Sequence, residues 1–118
     1  MTTRYRIEIT EQALADLAAI GEWIRSEAGA QAARQMINAM LERIDTLEQF
    51  PERGALVPEL ELLGRDGFRT LPAPPYRLLY RVHEARVTVR MIYHMRRDFA
   101  ALLEERMARD RMSRGESG

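Results

Sequence analysis

A chain of 118 residues, 46% apolar and 31% charged, fits one globular domain with a single modest core and not a disordered protein. No stretch approaches the roughly 18 uncharged apolar residues of a membrane span, and the chain opens without an apolar signal region. There is no cysteine for a disulfide or thiolate site, and His83 and His94 alone make a poor zinc site, so a cytoplasmic domain without cofactor or metal is expected. The formal net charge of zero hides a division: residues 1–64 hold 6 arginines against 11 carboxylates, residues 65–118 hold 12 against 7. Between Arg65 and Arg97, 8 arginines face only Asp66 and Glu84. There is no lysine, which a genome rich in G and C would produce unaided. Arginine is also the side chain best shaped for planar contact with phosphate or carboxylate. The second half of the chain is therefore expected to meet a polyanion or an acidic protein.

Residues 4–10 alternate polar and apolar, with Tyr5, Ile7 and Ile9 on one face, which predicts a short strand. Thr10 stands where an N-cap belongs, with Glu11 in the first turn to complement the helix dipole. Leu14, Leu17, Ala18, Ile20 and Ile24 then recur at helical spacing, predicting a helix to about Ser26, broken by Ala28, Gly29 and Ala30. Ala33, Met36, Ile37, Met40, Leu41, Ile44 and Leu47 form the stripe of a second helix, ended at Phe50 because the residue before Pro51 avoids the helical region. With so short a connection the two helices make an antiparallel hairpin.

Residues 51–66 read as a loop holding one helical turn near 58–64. A strand at 67–71 is interrupted by Pro72, Pro74 and Pro75, and two alternating runs follow, 76–82 and 87–93. Parity puts Tyr76, Leu78, Tyr80 and Val82 on the same face as Val87, Val89, Met91 and Tyr93, with Val82 opposite Val87 and Leu78 opposite Met91. A two-residue loop at Glu84 and Ala85 satisfies this pairing, as does a four-residue loop; Glu-Ala is disfavoured in the tight turn, so the longer loop is preferred. Asp98 is expected to cap a third, shorter helix, and residues 109–118 read as a polar tail after a single domain of residues 1–108. The order β-α-α-β-β-β-α gives an α+β fold, a helical hairpin packed on one twisted antiparallel sheet.

On this register the opposite sheet face carries Arg77, Arg81, Arg86 and Arg90 among Leu79, Thr88 and Ile92, with His94 at its end. Arg77 and Arg90 would lie about one cross-strand step apart, on the order of 5–8 Å. Such crowding describes either a solvated face balanced by Glu84 and tail acids, or a surface that binds phosphate or carboxylate. His94 alone, at a strand end, is more often structural than catalytic. Trp23 and the tyrosines read as core. No glycine-rich phosphate loop, Ser/His/Asp set or carboxylate dyad is present.

Several segments resemble, in order, the RelE/ParE toxin superfamily of type II toxin–antitoxin systems. They are residues 5–10, residues 13–17 with Ile20, the Phe-Pro-x-x-Gly pattern from Phe50 to Gly54, the Tyr-Arg-Leu-Leu-Tyr run from Tyr76, and the His-x-Arg-Arg-Asp run from His94. The resemblance covers residues 4–99 and implies the same helical hairpin on a sheet. It also implies a cognate antitoxin as partner, and either of two activities or, as in inactive members, antitoxin binding alone. ParE-like members bind and poison DNA gyrase. RelE-like members cut messenger RNA on the ribosome, which in this chain would use Arg77, His94 and Arg97 as catalytic residues. The absence of lysine, and Phe99 and Ala100 where nucleases tend to keep a tyrosine, favour the ParE branch. The residues expected to meet a target or anion are Arg77, Arg81, Arg90, His94, Arg96 and Arg97.

Overall fold

The alternation at the start of the chain becomes β1 (Arg6–Ile9), with Ile7 and Ile9 turned toward the core and Arg6 and Glu8 exposed. The structure, a computed structural model, describes residues 4–113. Thr10 ends the strand and caps α1 (Glu11–Ala28), its Oγ1 accepting the Ala13 N–H at 3.1 Å. Gly29, at φ 98°, supplies the backbone that a side chain resists and separates α1 from α2 (Ala30–Asp45). A 3-10 turn, Thr46–Glu48, continues α2 and buries Leu47. The two helices form the expected hairpin.

The sheet is built from β1, β2 (Ala55–Leu56), β3 (Phe68–Ala73), β4 (Tyr76–His83) and β5 (Arg86–His94), in the order β1-β5-β4-β3-β2. It is mixed: β1 runs parallel to β5, and every other pair is antiparallel. A short helix, α3 (Pro58–Leu62), follows β2, and α4 (Phe99–Ser113) follows β5. Pro72 does not interrupt β3. The bond from the Val82 N–H to the Gly67 carbonyl sets a phase in which Pro72 turns its missing donor away from β4, beyond the end of β2. Asp98 caps α4 as expected, its Oδ1 accepting the Ala100 N–H at 3.0 Å. The helix runs on to Ser113, through residues expected as tail; residues 114–118 lie outside the described residues.

The β4–β5 hairpin departs from the expected register in two places. Its loop is the tighter alternative, Glu84 and Ala85 between paired His83 and Arg86, with Glu84 at φ 56°. Val82 does oppose Val87, but the register slips between Tyr80, which faces Val89, and Leu79, which faces Met91. Arg90 is thus the extra residue of a β-bulge, and Leu78 opposes Ile92 instead of Met91. A uniform pleat was the premise of the parity argument, and one inserted residue reverses every side chain beyond it.

Two cores result. Tyr76, Leu78, Tyr80, Val87, Val89 and Ile92 pack with Ala13, Leu17, Met40, Ile44 and Leu47 beneath the helical hairpin. On the other side Leu79, Met91 and Tyr93 join Val57, Leu60 and Phe68, covered by Phe99, Leu102 and Leu103 of α4. The face expected to be an open arginine surface is largely roofed. The Phe-Pro-x-x-Gly pattern serves the first core: the buried Tyr80 hydroxyl donates to the Pro51 carbonyl and accepts the Gly54 N–H, both at 2.8 Å. A Cβ at Gly54 would stand 2.5 Å from the Thr70 carbonyl oxygen, so only glycine fits.

Candidate functional site

β1 stops pairing where Ile9 meets Val89, leaving the outer edge of β5 to find other partners. Two helices supply them. From α1, Asp16 Oδ2 accepts the Ile92 N–H at 2.9 Å. From α4, Arg106 donates Nη1 to the Arg90 carbonyl at 2.9 Å and to Gln12 Oε1 at 3.1 Å, and Nη2 to both Asp16 oxygens at 3.0 Å. The Asp16 and Arg106 side chains are only 21% and 14% exposed, so this charge-assisted network is sheltered and ties α1, β5 and α4 together.

Beside it lies a cleft of about 500 Å³ between α1, the end of β5 and α4. Ile20 and Trp23 of α1, Tyr76 and Ile92 of the sheet, Leu102 of α4, and His94 with Arg97 line it. Trp23, expected in the core, is 60% exposed. The His94 ring meets Tyr76 edge-on, with centroids 5.4 Å apart. Its Nδ1 accepts the Arg96 N–H at 3.0 Å, and its carbonyl accepts the Arg97 N–H at 2.9 Å. Nδ1 acting as acceptor leaves Nε2 to carry the proton of the neutral ring. This turn sends Arg96 and Arg97 out beyond the strand, both exposed.

The expected site residues therefore divide. His94, Arg96 and Arg97 come together at the end of β5. Arg81 lies back along β4, its Nε donating to the Asp66 carbonyl at 3.0 Å and its guanidinium 5.1 Å from the centre of the Phe68 ring. Arg77 is half-buried opposite Tyr93 on the outer face. Burial raises the Tyr93 phenol above its usual pKa, against the pull of the Arg77 charge, and Glu59 raises it further. Arg90, expected one step from Arg77, is the bulge residue instead, since Arg77 opposes Tyr93. Sequence reasoning missed Asp16, Arg106, Trp23 and Tyr93. Asp16 and Arg106 are 90 positions apart and carry no shared motif. A usable signal existed for Tyr93: the unbroken apolar run from Met91 to Tyr93 marks a strand buried on both faces.

Among the described residues, no three histidine, aspartate or glutamate side chains gather as a metal site requires, and no helix is long and apolar enough to cross a membrane.

The profile of the ParE toxin of the type II toxin–antitoxin system parDE matches residues 7–99. Among solved structures, the chain resembles one from the chromosomal ParDE toxin–antitoxin system of P. aeruginosa, with TM-score 0.64 and 24% identity over 78% of this chain and 97% of that one. It also resembles a chain of the toxin–antitoxin complex RelBE2 from Mycobacterium tuberculosis, with TM-score 0.56 and 23% identity over 77% of this chain and 98% of that one. No curated protein sequence matches at a significant level. At such identities the structural likeness speaks to the fold, and the profile match to the family.

Proposed function

The chain belongs to the ParE toxin family of type II toxin–antitoxin systems, and from that premise we propose that it inhibits DNA gyrase by binding and is neutralised by a cognate antitoxin. The observation that carries the choice of binding over cutting is the separation of Arg77 from His94 and Arg97. Cleavage of a phosphodiester needs a cation on the phosphate and an acid or base within hydrogen-bond reach of the same atoms. Here Arg77 sits across from Tyr93 on the face covered by α4, while His94 packs on Tyr76 at the cleft beside α1. An exposed tryptophan sharing a cleft with the exposed Arg97 suits a binding surface, where such residues dominate the energy. The antitoxin is supported by the two solved relatives, both described as toxin–antitoxin systems.

The test is gyrase supercoiling with purified protein. Inhibition is expected, relieved by the product of the short reading frame beside the gene. Complete inactivity against a competent gyrase overturns the reading. A second reading, a ribosome-dependent mRNA endonuclease, draws on Arg77 standing beside Tyr93. It requires transcript cleavage on programmed ribosomes that Arg77→Ala abolishes, and it falls if the unmodified protein cuts nothing.

A further inference from the structure

Among the described residues, three clefts differ in what lines them. The groove between α1 and α2 has Arg25 paired to Glu22 at 3.0 Å on its rim, with Arg34 beside them and no aromatic ring in its lining. The cleft at the β4–β5 turn has a mostly charged lining, Arg6 beside members of three exposed pairs, Arg4 with Glu48, Arg86 with Glu8, and His83 with Glu84. The cleft at the end of β5 is set apart by the exposed Trp23 ring beside Arg97. Its one lining carboxylate, Asp16, is taken up by Arg106 and the Ile92 N–H, and nearby Asp98 caps α4. Among the described residues, neither Arg96 nor Arg97 has a carboxylate partner at its side chain. An apolar wall and the unmatched Arg97 thus share one mouth, with Arg96 exposed in the same turn.

We propose that this cleft seats a segment of the antitoxin that carries an apolar side chain next to a carboxylate. The apolar group lies against Trp23 over a floor of Tyr76 and Ile92, and the carboxylate meets Arg96 and Arg97. Tyr76 and Ile92 are buried and the wall behind them is fixed by the Asp16–Arg106 network, so the seat is preformed and little ordering opposes docking. Trp23 presents a large ring that loses contact with water only when something covers it. Charge complementarity selects an acidic occupant over a neutral or basic one. Occupancy also hides Arg96 and Arg97 from any target, which makes the docking itself the neutralising event. This inference rests on the toxin–antitoxin reading and adds where the partner binds.

Trp23 is the only tryptophan in the chain, so full-length protein labelled with 5-fluorotryptophan gives a single fluorine resonance that reports on the cleft. The probe is the full-length product of the adjacent reading frame, unlabelled. The resonance is expected to shift on complex formation. Trp23→Ala should weaken Kd by about 30-fold and the double variant Arg96→Glu/Arg97→Glu by about 100-fold, as for central interface anchors. Arg34→Glu, on the α1–α2 groove, should stay within about 3-fold, as a charge outside the contact does. All four positions are exposed, so the folded state is retained, checked by circular dichroism. A tight complex with an unmoved resonance and unchanged Kd in both variants overturns the proposal and leaves the toxin–antitoxin reading standing. A resonance that shifts with the protein's own concentration, without antitoxin, assigns the cleft to a second copy and equally overturns it. Failure to form any complex removes the toxin–antitoxin reading itself.

Discussion

Arg81 and Arg97 carry the same guanidinium into opposite situations. Arg81 lies on β4, half-buried, with a carbonyl and an aromatic ring for partners. Arg97 follows the last residue of β5, where only its backbone is fastened, to the His94 carbonyl. A cation in mid-strand has fixed neighbours within reach, and its carbonyl and ring contacts occupy it. A cation in a turn past the strand end stays in water and remains able to meet a partner. Clusters of arginine in a sequence therefore mix fold-supporting and partner-seeking residues, and position relative to the strand end sorts them.

The largest effect that would break this division is on the network that closes the β5 edge. Asp16→Ala leaves the Ile92 N–H without an acceptor and Arg106 without its carboxylate; a loss of about 2–4 kcal/mol is expected in urea unfolding. An unchanged midpoint would mean the edge is held in some other way. Tyr80→Phe should cost somewhat less, about 1–3 kcal/mol, by orphaning the Gly54 N–H, while leaving partner binding at the strand end intact. Weakened binding in a folded Tyr80→Phe protein would show that the two regions are coupled.

Alkaline pH tests the interior from another side. Burial is the main cause that raises both Tyr80 and Tyr93, so their folded pKa values lie above the unfolded ones. Their stabilisation is complete below the usual tyrosine value of about 10 and declines as pH rises through the raised values. Unfolding midpoints should fall above that pH, less steeply in Tyr93→Phe; equal slopes would contradict the assignment. The smallest effect sharpens the opening contrast. Arg81→Ala should cost about 1 kcal/mol of stability from its hydrogen bond and ring contact, and Arg97→Ala should stay within about 0.5 kcal/mol.

Much of the fold was legible because it rests on local chemistry. Thr10 as cap, Gly29 as break, and the apolar stripe of α2 each act within a few residues of themselves. The β4–β5 register was legible only as far as Val89. Beyond it the Arg90 bulge depends on Arg106 and Asp16 arriving from distant helices, and no short window contains all three. The run Leu78-Leu79-Tyr80 and its counterpart Met91-Ile92-Tyr93 did carry the information that both faces are covered, which the alternation argument overrode. The strand-end group of His94, Arg96 and Arg97 was readable from adjacency alone. Its apolar half was not, because Trp23 reads as core by residue type alone, although it sits on the flank of the α1 stripe and lines the cleft.

The most direct measurement is gyrase supercoiling with two double variants beside the unmodified protein. The account expects Arg96→Ala/Arg97→Ala to lose inhibition by about 30-fold or more, while Arg77→Ala/Arg81→Ala stays within about 3-fold when both are folded. Loss of inhibition in the strand-borne pair with full activity in the strand-end pair would contradict it.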